Sequence, residues 1–146
     1  VSTNIHQKIL NFVDKNYSTS EKKISCVNGF QTHDNFDGKE ELNKELNIYL
    51  NNILRLNIVH GWLNVLGKNS HNNPHTHSGS DTGRAGVLYL SSENNNITFT
   101  RDGEIFEIKP KLFDYLIFPD DLIHYVLSEE RNTRRISYAF NMSILQ

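Results

Sequence analysis

The sequence has little of several residue types, and each shortage excludes a class of protein. Cys26 is the sole cysteine among 146 residues, so a disulfide within the chain and a zinc–thiolate cluster are both excluded. No apolar run approaches the roughly 20 residues of a membrane-spanning helix. The first residues also lack the basic start and continuous apolar core of a secretory signal. We therefore expect a cytoplasmic protein without a membrane partner.

The chain also lacks an excess of charge of either sign. It has 15 basic and 17 acidic side chains, for a formal net charge of -2 at pH 7. This balance gives no electrostatic footprint for nucleic acid or for an anionic membrane. With no internal repeat and no linker, the length predicts a single domain over residues 1–146. Within it we expect a helical part at 1–55 and a β core at 56–146.

Two amphipathic helices are predicted in the helical part, with a loop rich in Ser, Asn, Gly and Asp between them. Ser2 and Thr3 are possible caps of the first helix. The apolar stripes comprise Ile5, Ile9, Phe12 and Val13 in the first helix, and Leu42, Leu46, Tyr49, Leu50, Ile53 and Leu54 in the second. We expect the second helix to cover a sheet.

From residue 56 onward, short runs rich in Val, Ile, Tyr, Phe and Thr alternate with turn residues. The pair Asp102-Gly103 predicts a tight hairpin because both residue types tolerate positive φ. Many short strands after two helices predict a closed antiparallel sheet, a barrel or jelly roll with the helices packed outside. The candidate strands are 56–66, 74–77, 86–91, 96–100, 105–108, 115–118, 123–127 and 135–142.

Three histidines are candidate metal ligands. His75 and His77 stand two positions apart in a predicted strand, so their side chains point to the same face. His124 begins a later strand that antiparallel folding could bring beside them. Iron(II) and other first-row metals accept imidazole nitrogens, and about three protein ligands on one side leave positions open for substrate. The spacing alone leaves two interpretations open. The three histidines could form a metal site, or His75 and His77 could be solvated loop residues and His124 a structural residue of a later strand.

The last predicted strand has one apolar and one polar face. Its even positions from 136 to 140 are Ile, Tyr and Phe, whereas Arg135, Ser137 and Asn141 lie on the other face. A guanidinium and a hydroxyl two residues apart can clamp a carboxylate through charge-assisted hydrogen bonds. The alternative is a surface strand with its polar side in water. Tyr89 and Asn64 are further polar candidates for the cavity, although each could instead have a purely structural role.

These motifs together resemble the iron(II)- and 2-oxoglutarate-dependent oxygenase superfamily. The similarity is greatest to a small bacterial and phage group of oxygenases whose substrates are unassigned. It covers roughly residues 60–142, and the ordered combination of segments is more specific than any one of them. The segments are WLN at 62–64, PHTHSGS at 74–80, AGVLYL at 85–90, LIFPDDLIHYV at 116–126 and RISYAFN at 135–141.

The resemblance implies a double-stranded β-helix, also called a jelly roll or cupin-like barrel. It also implies iron(II) as the metal, 2-oxoglutarate as co-substrate, dioxygen as oxidant and hydroxylation as the commonest outcome. The implied iron ligands are His75, His77 and His124, and the implied co-substrate residues are Arg135 and Ser137, to which we add Tyr89 and Asn64.

His77 departs from the pattern of the wider superfamily, which usually has a carboxylate at this position. An imidazole removes one negative charge next to the metal, which should destabilise its higher oxidation states. Asp81, four residues further on, is a possible substitute ligand if the loop curls back.

Two other functions therefore stay open. One is a cupin-like barrel that binds a metal or a small ligand without turnover, since barrels serve many functions. The other is a metal-dependent lyase or hydrolase that uses the same three histidines. We expect the substrate to be a small molecule, a peptide or a nucleotide. The short N-terminal part offers only a small lid, which favours an exposed substrate such as a peptide or nucleotide, or a site completed by a second subunit in a homodimer.

Overall fold

The computed structural model describes residues 3–17, 26–27, 29–32, 40–67, 70–77, 83–92, 96–127 and 133–143. This part of the chain forms two helices and ten strands. The helices are α1 (Thr3–Asn16) and α2 (Glu40–Leu54), and the strands are β1 (Cys26–Val27), β2 (Phe30–Gln31), β3 (Asn57–Leu66), β4 (His71–His75), β5 (Arg84–Tyr89), β6 (Ile97–Arg101), β7 (Glu104–Ile108), β8 (Tyr115–Pro119), β9 (Ile123–Val126) and β10 (Arg135–Ser143).

The strands form two five-stranded antiparallel sheets. The covered sheet, which carries the helices, has the order β2-β3-β10-β5-β8, and the histidine sheet has the order β1-β4-β9-β6-β7. From β3 to β10 the chain alternates between the sheets, except where β6 and β7 form a hairpin. This arrangement is the predicted double-stranded β-helix, so the predicted fold class is confirmed.

Two elements differ from the sequence predictions. The sequence predicts a loop between the helices, yet two short strands lie there. β1 forms an edge of the histidine sheet and β2 an edge of the covered sheet. The strand expected at 74–77 lies instead at His71–His75, and its register against β9 is irregular between Asn72 and His75. Pro74 lies at this irregularity, because proline has no N–H to donate to a ladder.

The β6–β7 hairpin follows its prediction. Arg101 pairs with Glu104 across a two-residue turn, in which Asp102 has φ 54° and Gly103 has φ 80°. Positive φ at both central residues matches the twist of the flanking strands.

Strand β10 separates two cores. Its even residues Ile136, Tyr138 and Phe140 are buried with Ile9 of α1 and with Leu50 of α2, on the outer face of the covered sheet. On its other face, Arg135, Ser137 and Ala139 line the pocket shared with the histidine sheet, and Asn141 hydrogen-bonds to His77. The second core, which lies between the sheets, contains Leu66, Ala85, Val87, Tyr89, Phe99, Phe118 and Val126 among others. The predicted division of β10 into an apolar and a polar face is therefore confirmed.

A register shift between β10 and β3 changes which residues of β3 face the helix-side core. Asn141 of β10 pairs with His60, but Met142 pairs with Ile58, so β3 carries one extra residue between them. An extra residue reverses the alternation of side chains beyond it. Ile58 is accordingly buried in the helix-side core, together with the odd-numbered Leu63 and Val65.

Candidate metal centre

The structure brings His75, His77 and His124 together between the sheets. Their ring centroids are 4.2 Å apart for His75 and His124, 5.1 Å for His77 and His124, and 5.7 Å for His75 and His77. One ring nitrogen of each lies within 4.8 Å of the others, so that this trio could hold a metal ion.

Strand pairing and one main-chain hydrogen bond position the three rings. His75 of β4 is the cross-strand partner of His124 of β9. His77 lies two residues beyond the end of β4, where its main-chain N–H donates to the carbonyl oxygen of Asp120 at 2.8 Å. His77 thus reaches the cluster from a loop that is tied to the β8–β9 turn, and not from the predicted strand.

Each histidine uses its Nδ1 atom in a hydrogen bond. Nδ1 lies 2.6 Å from the carbonyl oxygen of Asn73 in His75, 3.0 Å from the carbonyl oxygen of Leu122 in His124, and 2.6 Å from the side-chain oxygen of Asn141 in His77. A carbonyl oxygen only accepts, so Nδ1 must donate in the first two bonds. The neutral rings therefore present the lone pair of Nε2, as metal-binding histidines do.

Burial keeps these imidazoles neutral. Loss of solvation lowers the pKa of His75 and of His77, in each case partly offset by the Nδ1 hydrogen bond. Burial, followed by the neighbouring His75, lowers the pKa of His124 to about 3. Since a metal competes with protons for these nitrogens, neutral rings at pH 7 favour metal binding.

Three neutral imidazoles fit a first-row divalent ion such as iron(II), zinc or nickel, all of which accept imidazole nitrogens. Asp81, the possible substitute ligand, lies outside the described residues. His71 takes no part in the trio, and its ring contacts the side chain of Asn73 at 3.2 Å.

The candidate co-substrate residues lie in the same pocket, on the covered sheet. Asn64 of β3, Ser137 of β10 and Tyr89 of β5 are cross-strand neighbours, so they form one row on the inner face. Arg135 lies two residues before Ser137 and also lines the pocket, with only 2% of its surface exposed. The structure therefore places all four on the wall opposite the histidines.

Tyr89 and Arg135 lie against each other. The guanidinium carbon is 5.2 Å from the centre of the Tyr89 ring. Burial raises the pKa of the Tyr89 hydroxyl, more than the nearby charge of Arg135 lowers it. Tyr89 thus remains a hydrogen-bond donor at neutral pH. A buried cation and a buried hydroxyl on one wall are suited to a carboxylate.

Other polar atoms in the pocket have no hydrogen-bond partner among the described residues. They are the side-chain oxygens of Asn64 and Asn72. Because a buried polar atom costs about 1–3 kcal/mol when it is left unpaired, these atoms are suited to a bound ligand or to water. Sequence reasoning missed Asn72, which lies in a polar stretch with no strand-like pattern.

The pocket is narrow, with a cavity volume of about 20 Å³. That volume holds about one water molecule. Trp62 lines it, with its ring 5.4 Å from that of His77. A ligand with two carboxylates can enter only if the lining side chains rotate.

Several solved structures are similar to this fold. A prolyl hydroxylase from Trichoplax adhaerens, in complex with a hypoxia inducible factor peptide fragment, matches with a TM-score of 0.68 and 12% identity over 98% of this chain and 80% of that chain. The viral collagen prolyl hydroxylase of Paramecium Bursaria Chlorella virus-1, in complex with 2-oxoglutarate, matches with a TM-score of 0.62 and 15% identity, over 99% of this chain and 92% of that chain. A 2OG-Fe(II) oxygenase family protein from Burkholderia pseudomallei matches with a TM-score of 0.59 and 16% identity, over 70% of this chain and 55% of that chain.

These similarities confirm the predicted resemblance to the 2-oxoglutarate oxygenases at the level of the fold. No protein-family model matches the chain, and no curated protein matches it. Neither helix in the described part of the chain is long and apolar enough to cross a membrane.

Proposed function

We propose that this protein is an iron(II)- and 2-oxoglutarate-dependent oxygenase that hydroxylates a substrate still to be identified. The observation that carries the proposal is a trio of neutral histidines, two of them buried and His75 half-buried, that faces a buried arginine across one pocket. When bound, the iron would supply the oxidative decarboxylation of 2-oxoglutarate by dioxygen, which forms succinate and carbon dioxide and hydroxylates a C–H bond.

In this proposal the two walls of the pocket have separate tasks. His75, His77 and His124 hold the metal through Nε2, while their Nδ1 hydrogen bonds fix the ring planes. Arg135 binds the distal carboxylate of the co-substrate, assisted by the hydroxyls of Ser137 and Tyr89 on the same wall. Burial strengthens these charged contacts because little water competes for them.

An anaerobic titration tests the proposal. Trp62 is the one tryptophan of the chain and lies beside His77, so its fluorescence should be quenched as iron(II) or cobalt(II) binds. Adding 2-oxoglutarate to the iron form should produce a weak visible charge-transfer band, and admitting air should yield succinate. His75→Ala and His124→Ala should each lose metal binding; variants that bind iron as well as wild type would contradict the assigned ligands.

A metal-binding barrel without turnover is the second candidate. Two observations favour it: among the described residues no carboxylate joins the three histidines, and the cavity between them and Arg135 has a volume of about 20 Å³. It predicts tight binding of zinc, nickel or iron, no metal-dependent binding of 2-oxoglutarate, and no succinate under any condition. A zinc- or nickel-dependent lyase or hydrolase would share the first two results, and metal analysis of protein purified without a nickel column would identify the ion.

A further inference from the structure

We propose that Asn141 is a positioning residue that sets the tautomer and the ring orientation of His77, an inference that rests on the proposed metal site. The side-chain oxygen of Asn141 lies 2.6 Å from Nδ1 of His77. Asn141 belongs to β10 of the covered sheet, 64 positions along the chain from His77. The hydrogen bond therefore ties the metal site to the opposite sheet.

His77 differs from its two neighbours in how its ring is fixed. His75 and His124 each bond a main-chain carbonyl two residues earlier in the chain. Those oxygens can only accept, so these two rings have one possible tautomer. The Asn141 amide carries both an acceptor and a donor, and its orientation decides which ring nitrogen of His77 bears the proton.

Only one orientation of the amide permits metal binding. If the oxygen of Asn141 faces the ring, Nδ1 keeps the proton and Nε2 offers its lone pair to the metal. If the NH₂ group faced the ring, the proton would move to Nε2 and point into the cluster. Asn141 therefore controls whether His77 can act as the third ligand.

Asn141 also limits the direction of the ring. His77 lies beyond the end of β4, so no strand ladder orients it, and its main-chain bond to Asp120 fixes only the backbone. Trp62 packs 5.4 Å from one side of the ring. Asn141 stands where the register of β10 against β3 shifts, and such irregularities often re-aim a side chain next to a site.

The first test measures the tautomer in metal-free protein by long-range ¹H–¹⁵N correlation of the histidine rings. In wild type His77 should carry its proton on Nδ1. Asn141→Leu should produce a mixture of tautomers, whereas Asn141→Asp, which can only accept, should keep the wild-type form. Asn141→Ala gives the same comparison if the leucine variant does not fold. Wild-type His77 with its proton on Nε2, or an unchanged tautomer in Asn141→Leu or Asn141→Ala, would overturn the proposal.

The second test measures cobalt(II) affinity through Trp62 fluorescence. Loss of a hydrogen bond to a metal-binding histidine typically costs about 10–100-fold in affinity, which we expect for Asn141→Leu and not for Asn141→Asp. Asn43→Ala is the matched control, because Asn43 bonds the Tyr138 hydroxyl on the outer face of the same sheet. If Asn141→Asp bound as weakly as Asn141→Leu, or if Asn43→Ala lost as much, the role of Asn141 would be disproved.

The two tests separate this inference from the proposed function. A wild-type protein that binds no cobalt, zinc or iron contradicts the metal site, whereas the tautomer of His77 still reports on Asn141. Metal binding with an unchanged affinity in Asn141→Leu contradicts the inference alone.

Discussion

Individual side chains in the pocket differ in how strongly the surrounding protein holds them. Each of the three histidines has a hydrogen bond on Nδ1, and His75 is also the strand partner of His124. Arg135 is buried with Tyr89 beside it. A charge held this far from water interacts strongly with an anion, so the arginine is the residue whose change should most affect a carboxylate ligand.

Replacement of Arg135 tests its role in co-substrate binding. Arg135→Gln should weaken 2-oxoglutarate binding by about 100-fold, because removing one partner of a buried charge pair costs roughly 2–5 kcal/mol. Cobalt(II) affinity should not change. Calorimetry on the cobalt form measures both, with melting curves to verify folding.

The neighbouring arginine supplies a matched control. Arg134 points away from the pocket and forms an exposed ion pair with Asp14 at 2.9 Å. Arg134→Gln should leave 2-oxoglutarate affinity within experimental error. Equal losses in the two variants would show that the effect arises from net charge and not from a specific contact.

At the scale of elements, β10 is the strand that both cores share. Its inner face runs from Arg135 through Ser137 and Ala139 to Asn141, which contacts His77. Ala139 lies between Trp62 of β3 and Val87 of β5 in the register of the covered sheet. A larger side chain at this place would project into the narrow pocket between the arginine and the histidines.

Enlarging Ala139 should therefore block the pocket without removing the metal site. Ala139→Leu should abolish detectable 2-oxoglutarate binding while cobalt(II) still quenches Trp62 fluorescence. Overpacking should also lower stability by about 1–3 kcal/mol. Ala139→Gly, which keeps the space open, should bind 2-oxoglutarate. A leucine variant that bound it normally would show that the ligand takes another path.

For the whole molecule, the three neutral histidines of the trio link stability to pH. Their pKa values are lowered in the folded state, that of His124 to about 3, whereas in the unfolded chain a histidine titrates near 6.5. Below pH 6.5 the unfolded chain thus binds more protons than the folded one. The free energy of unfolding is highest above pH 6.5, where these histidines are neutral in both states, and it falls as the solution becomes more acidic.

Denaturant unfolding at pH 7, 6 and 5 measures this dependence in the metal-free protein. Below pH 6.5 each histidine that stays neutral should reduce the free energy of unfolding by up to about 1.4 kcal/mol per pH unit. His124→Gln should show a shallower slope, since one proton-binding group is removed. A free energy that did not change between pH 7 and pH 5 would contradict the buried, neutral state of the trio.

Much of this arrangement could be predicted from the sequence, for definite physical reasons. The alternation in β10 predicts which residues face the pocket, since one face had to bury Ile136 and Phe140. The predicted start of β4 at Pro74 is wrong, because the polar residues 71–73 form a strand without an alternating pattern in the sequence. The contacts of His77 with Asp120 and Asn141 join residues far apart in sequence, and no local pattern carries them.

The extra residue in β3 changes which residues of the strand face the helices. Before it, the even-numbered Ile58 packs beneath the helices, whereas the even-numbered Trp62 and Asn64 further along the strand line the pocket. After it, the odd-numbered Leu63 and Val65 take that place beneath the helices. A single extra residue therefore keeps the helix-side core continuous along β3, although the alternation of apolar residues in the sequence reverses there.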